Sequence, residues 1–277
     1  NIQYYLGVFG LGGYPTNLCS SPVADYFTDI TTGRGVRLSG DGLTDLGVLY
    51  KGQYYFPQLV TPYNKTLLRS NGAKAKVMAF FDTFDGDFHT ILQAGTANGT
   101  TTSNQHFSFN EARNGYVCDY YDYHPDWAIS ANDVIFSWKD GFMYKHTNES
   151  QYTYFYGVQY NAEITLVFND NVNMKKSWNS IAEVANTTWA CPLIYTNVNT
   201  YLTQRQETNL VDADFQIQEG MPTSAIKRDV HSVGGKVSGS FIKGNWMAVK
   251  LQKLNASNFV TLTEVIVRYT DSPLNIR

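Results

Sequence analysis

The chain has 277 residues, enough for one large β domain or two ordinary domains, and a formal net charge of −3. That balance supplies no broad basic field, which argues against nucleic acid or another polyanion as the main partner. Charged residues make up only 16% while aromatics reach 15%, and 20 Tyr and 22 Gly move the balance from helix formers toward short strands and tight turns, so an all-β fold is expected.

The start, NIQYYLGVFG, lacks the basic leader of a signal peptide, and no apolar run approaches the ~18 residues of a membrane-spanning helix. A first residue of Asn1 rather than Met suggests a piece of a longer polypeptide. From Tyr26 to Gly47 the sequence YFTDITTGRGVRLSGDGLTDLG reads strand, turn, strand, turn, strand: strand-type side chains at Tyr26, Phe27, Ile30, Val36 and Leu38, with turn chemistry at 29–33 and 39–42. Gly33, Gly35, Gly40 and Gly42 are turn formers. Neither a P-loop nor a dinucleotide-binding glycine pattern is present there.

The segment AKVMAFFDTFDGDFHTIL repeats that order around Asp85-Gly86, and DVIFSWKDGFMYKH repeats it around Lys139-Asp140-Gly141. Such spacing suggests four-stranded meanders of the kind that form propeller blades. The acidic cluster Asp82, Asp85 and Asp87, with His89 beyond it, could offer oxygens to calcium, but it lacks the later glutamate and regular spacing of a calcium loop, and a hairpin turn accounts for it better. The runs YVCDYYDYHPDW and QYTYFYG could stack on sugar rings; strand alternation forces part of each into a core, and an interface accounts better for the rest.

After Asn169 the texture changes. MKKSWNSIAEVA can be helix or strand, with any helix confined to 174–185, and 187–208 is polar and poorly periodic. Strand signals return in DFQIQEG, KVSGSFIKGNWMAVKLQKL and FVTLTEVIVRYT. The division expected is therefore 1–168, propeller-like blades completed by upstream chain, and 169–277, a β-rich closing region.

Chemistry-bearing residues are scattered. Asp212 and Asp214, read as the same face of a strand, could with Glu219 serve glycoside hydrolysis, yet solvated edge charge explains them more simply. His89, His106, His124, His146 and His231 form no metal-ligand spacing, and Cys118 with His124 carries no thiol-protease signature. Cys19, Cys118 and Cys191 are expected as free thiols. Sequons at Asn64, Asn98, Asn148, Asn186 and Asn255 decide little in a chain so rich in Asn, Ser and Thr. No catalytic set, cofactor site or metal site is expected.

Taken in order, GVFGLGGYPTN, YFTDITTGRGVRLSGDGLTDLG, KVMAFFDTFDGDFHTIL, FSFNEARNGYVCDYYDYHPDWAISANDVIFSWKDGFMYKHTNE and YFYGVQYNAEITLVFND resemble the propeller-like region of the "muzzle" or stabilisation-type tail proteins of crAss-like and related short-tailed Bacteroidales-type phages. The segments MKKSWNSI, FQIQEGMPTSAIKRDV, GNWMAVKL and EVIVRYTDSPLN resemble that family's C-terminal portion. Two places depart from it: FFDTFDGDF stands where another hairpin sequence is common, and YVCDYYDYHPDW lacks the serine of the usual phrase. The resemblance implies a non-enzymatic virion component, located in the tail and assembled as a homo-oligomeric ring. Its partners would be other tail subunits and the upstream part of the same polypeptide, with no nucleic-acid sequence recognition and no membrane span. A secreted carbohydrate-binding or glycan-cleaving β protein is the alternative that the aromatic runs and carboxylates leave open.

Overall fold

The computed structural model describes residues 17–29, 34–50, 77–93, 95–97, 100–119, 123–146, 152–171, 173–199, 204–254 and 258–272. The described chain is all-β and antiparallel, and it divides into two compact units, Asn1–Asn148 and Glu149–Arg277. None of its helices is long and apolar enough to cross a membrane.

In the first unit, β1 (Leu18–Ser20), β2 (Asp25–Asp29), β3 (Arg34–Ser39) and β4 (Gly42–Asp45) pair in chain order as a four-stranded meander. A second meander joins β5 (Val77–Asp82) and β6 (Asp87–Leu92), passes through a small hairpin of β7 (Gly95–Ala97) and β8 (Thr100–Thr102), and ends with β9 (Gln105–Asn110) and β10 (Gly115–Asp119). A third, three-stranded sheet consists of β11 (Trp127–Ala131), β12 (Val134–Lys139) and β13 (Phe142–Lys145). The turns anticipated at 39–42, Asp85-Gly86 and Lys139-Asp140-Gly141 all connect paired strands. At the last of these, Lys139 pairs with Phe142 across a two-residue loop in which Asp140 has φ 52° and Gly141 φ 84°. This left-handed pair matches the twist of the flanking strands, and glycine adopts it without a Cβ penalty.

The first two meanders face each other through aromatic side chains. Tyr26 stacks on Phe88 with centroids 5.0 Å apart, and Phe109 lies tilted against the same Tyr26 ring at 6.4 Å. Ala24, Leu46 and Ala79 complete this buried cluster. Polar groups tie the same interface: the Tyr26 hydroxyl donates to Glu111 Oε2 at 2.6 Å, Arg37 pairs with Glu111 Oε1 at 2.8 Å, and the Thr28 and Thr90 hydroxyls meet at 3.1 Å. A buried hydroxyl without such a partner would cost stability, so the pairing specifies register as well as contact.

The second unit is a two-layer sandwich. After the hairpin β14 (Tyr154–Phe155) and β15 (Val158–Gln159), one layer orders β16 (Ala162–Phe168) beside β23 (Met247–Lys253), β18 (Ala190–Asn199) and β19 (Gln204–Leu210). In the other, β17 (Lys176–Ala185) is flanked by β24 (Leu262–Asp271) and by β21 (Met221–Ala225) and β22 (Lys243–Gly244), with β20 (Gln216–Gln218) beyond β21. Trp178 and Ile181 from one layer meet Cys191, Ile194, Leu210, Met247, Val249 and Leu251 from the other, forming the core that apolar burial stabilises.

Three sequence expectations take a different form here. The compact units divide at 148/149, three strands before the expected boundary at 168/169: Ala162–Phe168, the last of the three, pairs residue for residue with Met247–Lys253 and belongs to the sandwich. The ambiguous 174–185 stretch is strand from Lys176, because Trp178 and Ile181 bury against the facing layer and a bulge between Trp178 and Ser180 resets the alternation. The aperiodic 187–208 stretch contains most of two strands whose register shifts twice, at Cys191/Ile194 and Tyr195/Val198. Each shift breaks the period-two pattern that marks a strand in sequence.

Candidate functional site

Within the first unit, β1, β5 and β11 are each the opening strand of their sheet and each a sheet edge. They approach one another, β1 to β5 and β5 to β11, around a groove of about 480 Å³. Leu18, Phe80, Phe81, Trp127 and Ile129 supply its apolar wall, and Ser20, Thr83 and Ser130 its hydroxyls. Trp127 is half exposed and rests on Trp138, its cross-strand neighbour, with ring centroids 5.3 Å apart. The Thr83 and Ser130 hydroxyls meet at 2.9 Å and Thr83 N–H also donates to Ser130 Oγ, joining the rim of the second meander to the third sheet. That volume lies within the range of small-ligand pockets, and an aromatic face beside hydroxyls is chemistry that suits a sugar or an extended peptide.

Behind Phe80 lies a cluster that the spacing of the histidines did not announce. Phe80 stacks flat on His89 at 4.4 Å with an interplanar angle of 1°. His89 Nδ1 and His106 Nε2 are 2.9 Å apart, and His106 Nδ1 donates to the Tyr123 carbonyl at 2.5 Å. His124 lies with its ring 6.3 Å from that of His106, and Tyr123 packs edge-on against His146 at 5.0 Å. His146 Nε2 is 2.6 Å from Ser137 Oγ. Four of the chain's five histidines thus gather at one place. Burial holds His89 down to about 4 and His106 well below the ordinary imidazole value, the second lowered further by its histidine neighbours; burial also lowers His146.

The acidic cluster forms a structural hairpin turn. Asp82 Oδ1 accepts from Phe84 N–H at 2.9 Å, Asp87 Oδ1 from Asn110 Nδ2 at 2.6 Å, and Asn110 Nδ2 also reaches the Asp85 carbonyl at 2.9 Å. Among the described residues no group of three or more His, Cys, Asp or Glu side chains could hold a metal ion.

Asp212 and Asp214 lie on a single 3-10 turn rather than a strand face, which corrects the expected alternation. Asp214 pairs with Lys227 at 2.5 Å and accepts from Val211 N–H, while Asp212 faces Lys253 at 3.4 Å. Glu219 sits in the tight turn between β20 and β21 with φ 52°. Each aspartate is therefore placed by a lysine. His231 stands apart, 3.2 Å from Glu207, whose carboxyl is lowered chiefly by its hydrogen bond from Arg205.

The side chain of Cys118 and residues 120–122 fall outside the described residues, as do Asn64, Asn98, Asn148 and Asn255. Cys19 and Cys191 are free thiols that burial pushes up, Cys19 to about 12. Asn186 uses its side-chain amide internally, donating to the Phe259 carbonyl at 3.0 Å and accepting from Thr261 N–H at 2.9 Å.

Sequence reading also passed over Glu183. It has no exposed surface; Oε2 accepts from Trp189 N–H at 2.9 Å and Oε1 is buried without a hydrogen bond. Burial, with a smaller push from Asp212, raises its carboxyl to about 7. The signal available in sequence was one Glu among apolar residues in SWNSIAEVA, which is equally the pattern of a half-exposed strand. No family model matches the chain, and no curated protein matches it.

Proposed function

We propose that the chain is a non-catalytic structural component of a phage tail, of the propeller-like muzzle or stabilisation type, located in the virion and working as a homo-oligomeric ring with other tail subunits. The observation that carries this reading is the convergence of β1, β5 and β11 on one groove, since blades of a propeller likewise present their first strands to a common axis. The ordered run of motifs from GVFGLGGYPTN to YFYGVQYN supports it independently.

A second reading, carbohydrate binding, is favoured by the half-exposed Trp127 in the same groove. Glycan-array binding and light scattering of the full chain separate the two. A tail component gives an oligomer with no saturable glycan binding; a monomer that binds a glycan, and loses it with Trp127→Ala, supports the second reading and overturns the first.

A further inference from the structure

Strand β24, LTEVIVRYTD, is ten residues long and is paired on one side only, with β17. Val265, Val267 and Tyr269 pack against the sandwich core, so alternation turns Glu264, Ile266 and Arg268 to the outer face of the sheet, where both charged side chains are exposed. Among the described residues neither charge enters an ion pair.

Register fixes which backbone groups face the free side. Ser272 N–H donates to the Lys175 carbonyl at 2.9 Å, and from Asp271 back to Glu264 each residue of β24 has its own partner on β17, the bulge between Trp178 and Ser180 lying on the partner strand. In an antiparallel ladder, successive residues send their N–H and C=O to opposite sides. Thr270, Arg268, Ile266 and Glu264 therefore direct theirs to β17, and Val265, Val267 and Tyr269 direct theirs outward. A long edge of this kind is a template for another strand.

We propose that this edge joins two copies of the chain: β24 pairs antiparallel with β24 of a second copy about a two-fold axis at Ile266, and Glu264 of each copy lies opposite Arg268 of the other.

Hydrogen bonding and charge together select that register. Only outward-directed residues can exchange bonds across the new ladder, so the axis must fall on a residue rather than between two. At Glu264 or Arg268 it would bring like charges together. At Val265 or Val267 it would leave both charges facing uncharged residues. At Ile266 it pairs Val265 with Val267 through the backbone and sets two Glu264–Arg268 pairs on the outer face, flanking the two Ile266 side chains. Those outer-face pairs are the non-hydrogen-bonded positions, where facing Cα atoms approach to about 4.5 Å. The inner faces of the two sheets become continuous. The edge strand of the other layer, β16, lacks this self-complementary pattern, since its one charge, Glu163, is already paired with Lys250 at 2.7 Å. A two-fold contact joins one copy to one other, so the proposal does not rest on a ring.

The test uses the full chain. Sedimentation over a concentration range should show a dimerising step, and hydrogen exchange followed by NMR should find amide protection of Val265 and Val267 rising with concentration while that of Glu264 and Ile266 does not. Arg268→Glu and Glu264→Arg each oppose like charges twice and should weaken association roughly tenfold or more; the two together restore opposite charges and should recover it. On oxidation Ile266→Cys should give a disulfide between position 266 of the two copies, identified by mass spectrometry, whereas Val167→Cys, at an exposed position on β16, should give none. A chain that stays monomeric at every concentration would overturn the proposal. So would an oligomer indifferent to the charge reversals and their combination, or one with no link at position 266, and in those two cases the tail reading still stands. The exchange measurement needs no variant, so a variant that fails to fold leaves the proposal open to refutation.

Discussion

Glu183 and Lys176 are both wholly buried on β17, and their surroundings treat them differently. The Lys176 ammonium donates to the Asn245 carbonyl at 2.7 Å and the Asn171 carbonyl at 3.1 Å, and lies 5.5 Å from each of the rings of Trp178 and Tyr269. Carbonyl dipoles and aromatic faces here replace the water that a cation gives up. Lys176→Met leaves those carbonyls unpaired and is expected to cost about 2–4 kcal/mol in denaturant unfolding. Glu183 has one satisfied oxygen and one orphan. With its folded value near 7 against an ordinary 4.5, it binds a proton in the folded state that the unfolded chain has released. Its contribution is full below about pH 4.5 and declines as pH rises to about 7. Glu183→Gln keeps an acceptor for Trp189 N–H and cannot ionise, so at pH 8 it should stabilise the protein by on the order of 1–2 kcal/mol after allowance for solvent screening, and should flatten the pH dependence of the thermal midpoint.

At the level of the elements, hairpins were the most legible feature because their chemistry is local. Asp140-Gly141 between alternating runs dictates a left-handed two-residue turn, and β12 and β13 pair across it. Gly141→Val should therefore destabilise the protein by about 1–2 kcal/mol, whereas Gly40→Ala, at a glycine with open space around it and no left-handed backbone, should change the melting temperature little. Strands whose alternation is interrupted were not legible. In β18, Cys191 and Ile194 both face the core across a register shift, so their spacing of three breaks the period of two. The site divides the same way. Asp82, Asp85 and Asp87 were readable as a turn because the residues that satisfy them are close in sequence, apart from Asn110. The histidine cluster was not readable: His89 and His106 are 17 positions apart and become neighbours only because β6 and β9 pair around the inserted hairpin.

For the molecule as a whole, the two units carry opposed acid responses. Lowering pH below 6.5 weakens the first through its neutral, buried histidines, and lowering it below 7 strengthens the second through Glu183. Urea unfolding at pH 5, followed by exchange in each unit, should find the first unit less stable and the second more stable than at pH 7.5. The proposed tail role makes a larger claim, that the chain is built to associate. Exposed Trp127, Ile129 and Met143 lie on one face of the β11–β13 sheet, opposite the face that buries Ala128 and Ser137, and an apolar face of this kind supplies contact area to a neighbouring subunit. Electron microscopy of the purified chain, across a concentration range that brackets assembly, tests that claim most directly. Closed rings of one rotational symmetry are the predicted result; well-folded single particles at every concentration would contradict it.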